Sequence, residues 1–134
     1  MIIIITTAYY YILSSRKKEK ELKKKETVNF FFSDKINYEK VIIDKRNGLL
    51  DDEDSRILEI LSVFEKMSIS IKTKVYDEEV ILEYYGKYMI HFFKEFKFFI
   101  LIRREKSGNP YLFIEYEKLV NRINKNDKSQ NYYE

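Results

Sequence analysis

Residues 77–106 read DEEVILEYYGKYMIHFFKEFKFFILIRREK, and the reading of this stretch decides the fold. Asp77, Glu78 and Glu79 open it with carboxylates, while Arg103, Arg104 and Lys106 close it with cations. Negative charge suits the positive end of a helix dipole and positive charge suits the other end, so the stretch carries its own start and stop signals. Between them Ile81, Tyr85, Tyr88, Phe92, Phe96 and Phe99 recur at steps of three and four and form one apolar stripe. Glu79, Glu83, Lys87 and Lys94 fall on the opposite side. The spacing predicts a central helix over residues 77–104, with an apolar surface wide enough to organise a small bundle.

The same stretch is a poor membrane span. From Val80 to Ile102 it holds Glu83, Lys87, Lys94, Glu95 and Lys97 besides His91. Each ionised side chain at mid-bilayer costs about 2.5–3.5 kcal/mol even on the mildest insertion scale. The helix therefore belongs in a protein core.

Upstream, Asp51, Asp52, Glu53 and Asp54 precede Ile57, Ile60, Leu61, Phe64 and Met67, which again keep helical spacing. The acidic cluster reads as a charged helix N-terminus. A calcium loop would also need a glycine at the turn and a bidentate glutamate at a fixed distance, and the chain supplies neither. Tyr38–Arg46 carries Val41, Ile42 and Ile43 between charges, with Asn47-Gly48 as its C-terminal stop. Val28, Phe30, Phe31 and Phe32 form an apolar knot before it. Downstream, SGNP at 107–110 is a loop, with Pro110 set to begin the next element. A last stripe, Leu112, Tyr116, Leu119, Val120 and Ile123, then gives way to a polar tail over 125–134 that is expected to be disordered.

The chain begins with a different texture. IIIITTAYYYIL, residues 2–13, has no charge at all, and RKKEKELKKK, residues 16–25, comes close behind it. Seven bases (Arg16, Lys17, Lys18, Lys20, Lys23, Lys24 and Lys25) face two acids there, a local surplus of five. The overall charge is +3, so the rest of the chain carries −2. A nucleic-acid binder usually spreads its positive charge over a folded face, whereas here it is confined to one short segment. As a helix the apolar run covers only about 18–21 Å, short of the roughly 30 Å of a bilayer core. Its three tyrosines suit the interfacial belt, and the lysine cluster suits a cytoplasmic flank. There is no basic residue before the run and no small-residue cleavage site, so it does not read as a secretory signal.

The organisation expected from these features is a membrane anchor over 1–15, a basic juxtamembrane helix or linker over 16–26, a helical domain over 27–124, and the tail. With 134 residues, three glycines and one proline, the fold class is a single all-α bundle rather than a turn-rich β structure. The abundance of Lys, Ile, Asn, Tyr and Phe is what AT-rich codon usage alone produces, so neither the aromatics nor the lysines imply a binding surface by number.

Chemistry is thinly represented. There is no cysteine, which removes disulfides, thiolate metal sites and cysteine nucleophiles. His91 is the only histidine and reads as a half-buried packing residue, since no second histidine or cysteine accompanies it. Asp77 and Glu78 are explained by helix capping, and no glycine-rich phosphate loop or serine nucleophile motif occurs. The expectation is a non-enzyme with no catalytic, cofactor or metal residues.

The segments KKKETVNFFFSD, ILSVFEKMSISIKTKVYDEEVILEYY and PYLFIEYEKLVNRI, taken in order, resemble an uncharacterised bacterial and phage family, a domain of unknown function. In that family one N-terminal membrane helix and a basic stretch precede a small helical cytoplasmic domain. A Phe-Glu pair there leads through a short turn to an acidic helix start, positions held here by Phe64-Glu65 and Asp77-Glu78. Two features depart from the pattern: the apolar run is shorter than a full span, and the turn SISIKTKVY has no glycine. The resemblance implies architecture and location at the inner membrane, single-pass or peripheral, with the domain in the cytoplasm. It implies no catalytic residues.

Two functions are consistent with these features. One is a membrane-tethered helical domain that works by protein–protein contact, with an unknown partner or a second copy of itself. The other is a soluble helical nucleic-acid binder that uses residues 16–25, which the acidic balance of the remaining chain disfavours.

Overall fold

The computed structural model describes residues 2–31, 37–51 and 53–130. Its elements are α1 (Ile2–Phe31), α2 (Tyr38–Arg46), α3 (Ser55–Lys72), α4 (Glu78–Ser107) and α5 (Ile114–Gln130), with no strand among the described residues. The all-α bundle is as the sequence leads one to expect. Phe32 and Asp52, the side chains of Phe30 and Phe31, and residues 131–134 lie outside the described residues.

Helices α3, α4 and α5 pack on one another, α2 lies across α3 and α4, and α1 meets α4. Phe64 of α3 is at the centre and is fully buried. Its ring stacks on Tyr38 of α2 at 5.0 Å and meets Phe92 of α4 edge-on at 5.7 Å. On its third side Tyr116 of α5 lies 5.3 Å away. One aromatic ring thus joins four helices, and such contacts add about 0.5–1.5 kcal/mol each to ordinary apolar burial. The five expected core residues of α3, Ile57, Ile60, Leu61, Phe64 and Met67, are all buried.

The central helix differs in detail from its expected form. Asp77 is its N-cap and accepts a hydrogen bond from the Val80 amide at 3.1 Å, and the helix runs on to Ser107 instead of stopping near 104. It ends only at Gly108, whose φ of 66° no ordinary helical residue adopts. Tyr88, expected on the core stripe, is 39% exposed, while Met89, Phe93 and Ile100 are buried. The reason is coverage. Helices α2, α3 and α5 clasp α4 from several sides, so its buried band is wider than a single line, and Phe93 is covered by the Tyr116 ring. Helix α5 starts at Ile114, four residues after Pro110. It continues to Gln130 because nothing in residues 125–130 breaks a helix.

The apolar run falls short of a bilayer crossing. No helix among the described residues is long and apolar enough to cross a membrane. The apolar run ends at Leu13, and from Arg16 the same helix is charged. Of the two forms expected for residues 16–26, helix or linker, the helix is the one found, since α1 is one continuous helix of 30 residues.

Candidate functional site

The first half of α1 is helical without being packed. Ile3 is 80% exposed, Ile4 73% and Tyr11 74%, and Ile5, Tyr9, Tyr10, Ile12 and Leu13 are exposed as well. Consecutive helical residues point about 100° apart, so an unbroken run of exposed residues means that every side of the helix is bare. Burying such a side chain gains about 1.5–3 kcal/mol, which leaves on the order of 10 kcal/mol unused across these eight residues. Among the described residues nothing of the bundle covers this segment.

Directly behind it, the cationic side chains surround the same helix. Arg16, Lys17, Lys18, Lys20 and Lys25 are exposed, whereas Lys23 and Lys24 are half-buried where α1 nears the domain. Helical spacing aligns Arg16, Lys20, Lys23 and Thr27 on one face. The sequence identified these bases by count, and the helix supplies their arrangement, a collar and then a line leading inward.

Thr27 ends that line and fixes α1 to the domain. It is completely buried. Its hydroxyl donates to the Lys23 carbonyl at 2.7 Å, and the same oxygen accepts the Asp77 amide at 2.8 Å. Asp77 in turn caps α4, so the start of the central helix and the end of α1 share one hydrogen-bonded joint. Nothing in the sequence marks Thr27, because its partner lies 50 residues away.

The Phe-Glu pair acquires a clear role. Phe64 is the core centre described above. Glu65, next to it, reaches α5 and accepts the Tyr116 amide at 2.7 Å and the Glu115 amide at 3.3 Å. A carboxylate from α3 thereby satisfies amides at the N-terminus of α5, a position where helices lack internal partners. Tyr116 is locked further by its hydroxyl, which donates to the Met89 carbonyl at 2.5 Å, and burial pushes its phenol far above the ordinary range.

The remaining sequence candidates are structural. His91 is exposed rather than half-buried, and its Nε2 lies 3.9 Å from the Glu95 carboxylate. Of the acidic cluster, Asp54 caps α3 by accepting the Arg56 amide at 2.9 Å, and Asp51 accepts the Glu53 amide at 3.0 Å. Arg56 also bonds Asp44 at 2.8 Å, joining α2 to α3, and its hydrogen bonds hold the Asp54 carboxyl below the usual range. No group of metal-ligating side chains occurs among the described residues. Glu95 is similarly lowered, by hydrogen bonds first from Arg46 and then from Lys45, and Glu115 by its bond from Lys72.

In the comparison with known families, residues 3–123 fit the family described as Domain of unknown function (DUF4760). The match takes in the exposed run, the basic collar, Thr27, Phe64-Glu65 and Asp77 together. No curated protein and no solved structure matches the chain.

Proposed function

The chain belongs to the DUF4760 family, a domain of unknown function, and from that premise we propose that it is a non-enzymatic domain held at an anionic membrane surface by the first half of α1. Ile3–Leu13 enters the interfacial layer, Arg16–Lys25 lies among the lipid headgroups, and the bundle stands off as a platform for protein contact on the cytoplasmic side. The supporting observation is the bare apolar helix with seven bases immediately behind it on the same rigid rod. Interfacial helices bind through apolar area plus attraction to anionic lipid, and each base near such a surface adds about 1 kcal/mol. A run of 12 uncharged residues is sufficient for this mode, although it falls short of a bilayer crossing.

Co-sedimentation with phosphatidylglycerol-containing vesicles tests the reading. The full chain is expected in the pellet, binding is expected to weaken with salt, and a variant lacking residues 1–13 is expected in the supernatant. Full-length protein that stays in the supernatant at every lipid concentration would sink the proposal. Duplex DNA is expected to cause no gel shift at about 50 mM salt, where phosphate contacts are strongest. A shift abolished by reversing Lys17, Lys18 and Lys20 would favour nucleic acid instead.

A further inference from the structure

Where α1 meets the bundle there is an open cavity of about 500 Å³. Five cationic side chains line it: Lys23 from α1, Lys72 and Lys74 from the end of α3, and Lys118 and Arg122 from α5. Only two lining carboxylates oppose them, Asp77 and Glu78. Glu78 is engaged by Arg122, and Asp77 spends one oxygen on capping α4. Glu115, just outside, bonds Lys72 at 2.9 Å and lies 3.7 Å from Lys118. Even with Glu115 counted, the set keeps a surplus of two positive charges, and Lys23 and Lys74 have no carboxylate partner among the described residues.

The backbone at Lys74 adds an independent oddity. Helix α3 closes with the Val75 amide donating to the Ser70 carbonyl at 3.0 Å and the Lys74 amide donating to the Ile71 carbonyl at 3.1 Å. That pattern puts Lys74 in the left-handed region, at φ 59°, where glycine is the usual occupant. Helix α2 ends with the same closure and does use a glycine there, Gly48 at φ 69°. A lysine in this position carries backbone strain that a glycine would not. In exchange it carries a cation at the cavity mouth. Arg16 and Lys20, on the face of α1 that leads to Lys23, extend the positive potential about 10 Å further along the helix.

We propose that this cavity binds a phosphate-bearing anion, taken by Lys23 and Lys74, which no carboxylate engages among the described residues, with Lys72, Lys118 and Arg122 as its flanks. The chemistry is common to a soluble phosphate and to the headgroup of an anionic phospholipid. The site does not depend on membrane docking, because either source reaches it from solvent.

The test titrates the full chain with inorganic pyrophosphate, and separately with short-chain phosphatidylglycerol below its micelle concentration, against short-chain phosphatidylcholine as the neutral control. Amide chemical shifts provide the readout. Saturable shifts confined to residues 72–78, residues 118–122 and the neighbourhood of Lys23 are expected. The double variant Lys23→Glu, Lys74→Glu is expected to weaken binding at least about tenfold, because two charge-assisted contacts become repulsions. Lys94→Glu with Lys97→Glu, both exposed on α4 and outside the cavity, carries the same change of net charge and is expected to stay within about twofold. Response to pyrophosphate assigns a soluble ligand, and response to phosphatidylglycerol alone assigns a headgroup. The proposal is overturned if neither probe saturates below about 10 mM at low salt. Equal weakening by both double variants, or pyrophosphate shifts spread over all of α1, overturns it as well.

Discussion

Ile3–Leu13 and Ile81–Phe99 are built from the same kinds of residue, yet one is bare and the other is the spine of the bundle. The difference lies in the residues interleaved among them. In α4, Glu83, Lys87 and Lys94 divide the helix into a wet side and a dry band, so α2, α3 and α5 can cover the dry band while the charges stay in solvent. The α1 run has only Thr6 and Thr7 between its apolar side chains. With no charged side it has no preferred face to dock, and packing one side on the bundle would still leave the others bare. Apolar content alone therefore does not predict burial; the pattern of charge within it does.

The comparison is broken most severely at the core. Phe64→Ala is expected to cost about 3–5 kcal/mol in chemical denaturation, since the ring is fully buried among aromatics from three other helices. A truncation that costs less than about 1 kcal/mol would mean that the aromatic cluster is not the centre of stability. Glu65→Ala is expected to cost about 1–2 kcal/mol, because the Tyr116 and Glu115 amides lose their acceptor. Glu65→Gln, which keeps an acceptor oxygen, should recover part of that loss.

Thr27→Val sharpens the comparison at the boundary between the two regions. It preserves shape while removing the acceptor of the Asp77 amide, and a loss of about 1 kcal/mol is expected. The accompanying signature is faster hydrogen exchange in the last turns of α1 with little change in α3. The smallest effect is that of pH. Asp54, Glu95 and Glu115 hold their carboxyls below the ordinary values of 3.8 for aspartate and 4.5 for glutamate. Below those ordinary values the unfolded chain therefore binds more protons than the folded one. Their stabilisation is complete above them and is lost as pH falls through the depressed folded values. The melting temperature is expected to be flat from neutrality to about pH 5 and to decline below it, with the decline blunted in the Glu95→Gln variant.

Much of this architecture is legible in the chain itself. The stripes of α3 and α5 and the caps at Asp54, Asp77 and Gly48 all arise from periodicity and local capping chemistry, which act over a few residues. The features that escape are long-range. Thr27 and Glu65 act on amides about 50 residues away, and no local pattern distinguishes them from other polar residues on a helix. Tyr88 misleads because its place on the stripe is real, while the helices that cover α4 leave it half-bare against Tyr38 and Glu39. Lys74 is hidden for the opposite reason: the sequence offers no glycine at that turn, and the backbone adopts the glycine conformation nonetheless. Of the candidate sites, the basic segment is visible as a count of charges, but the cavity that Lys23 shares with Lys74 and Arg122 exists only once α1, α3 and α5 converge.

The most direct measurement is residue-level hydrogen exchange on the full chain, with and without phosphatidylglycerol vesicles. In buffer, amides 3–13 are expected to exchange far faster than those around Phe64 and Met89, since the side chains of that half of α1 are exposed. With vesicles, protection is expected to rise across 3–13 and through the basic collar, while α3 and α4 stay unchanged. Strong protection of 3–13 in the monomer without lipid, or none gained with it, would contradict the account.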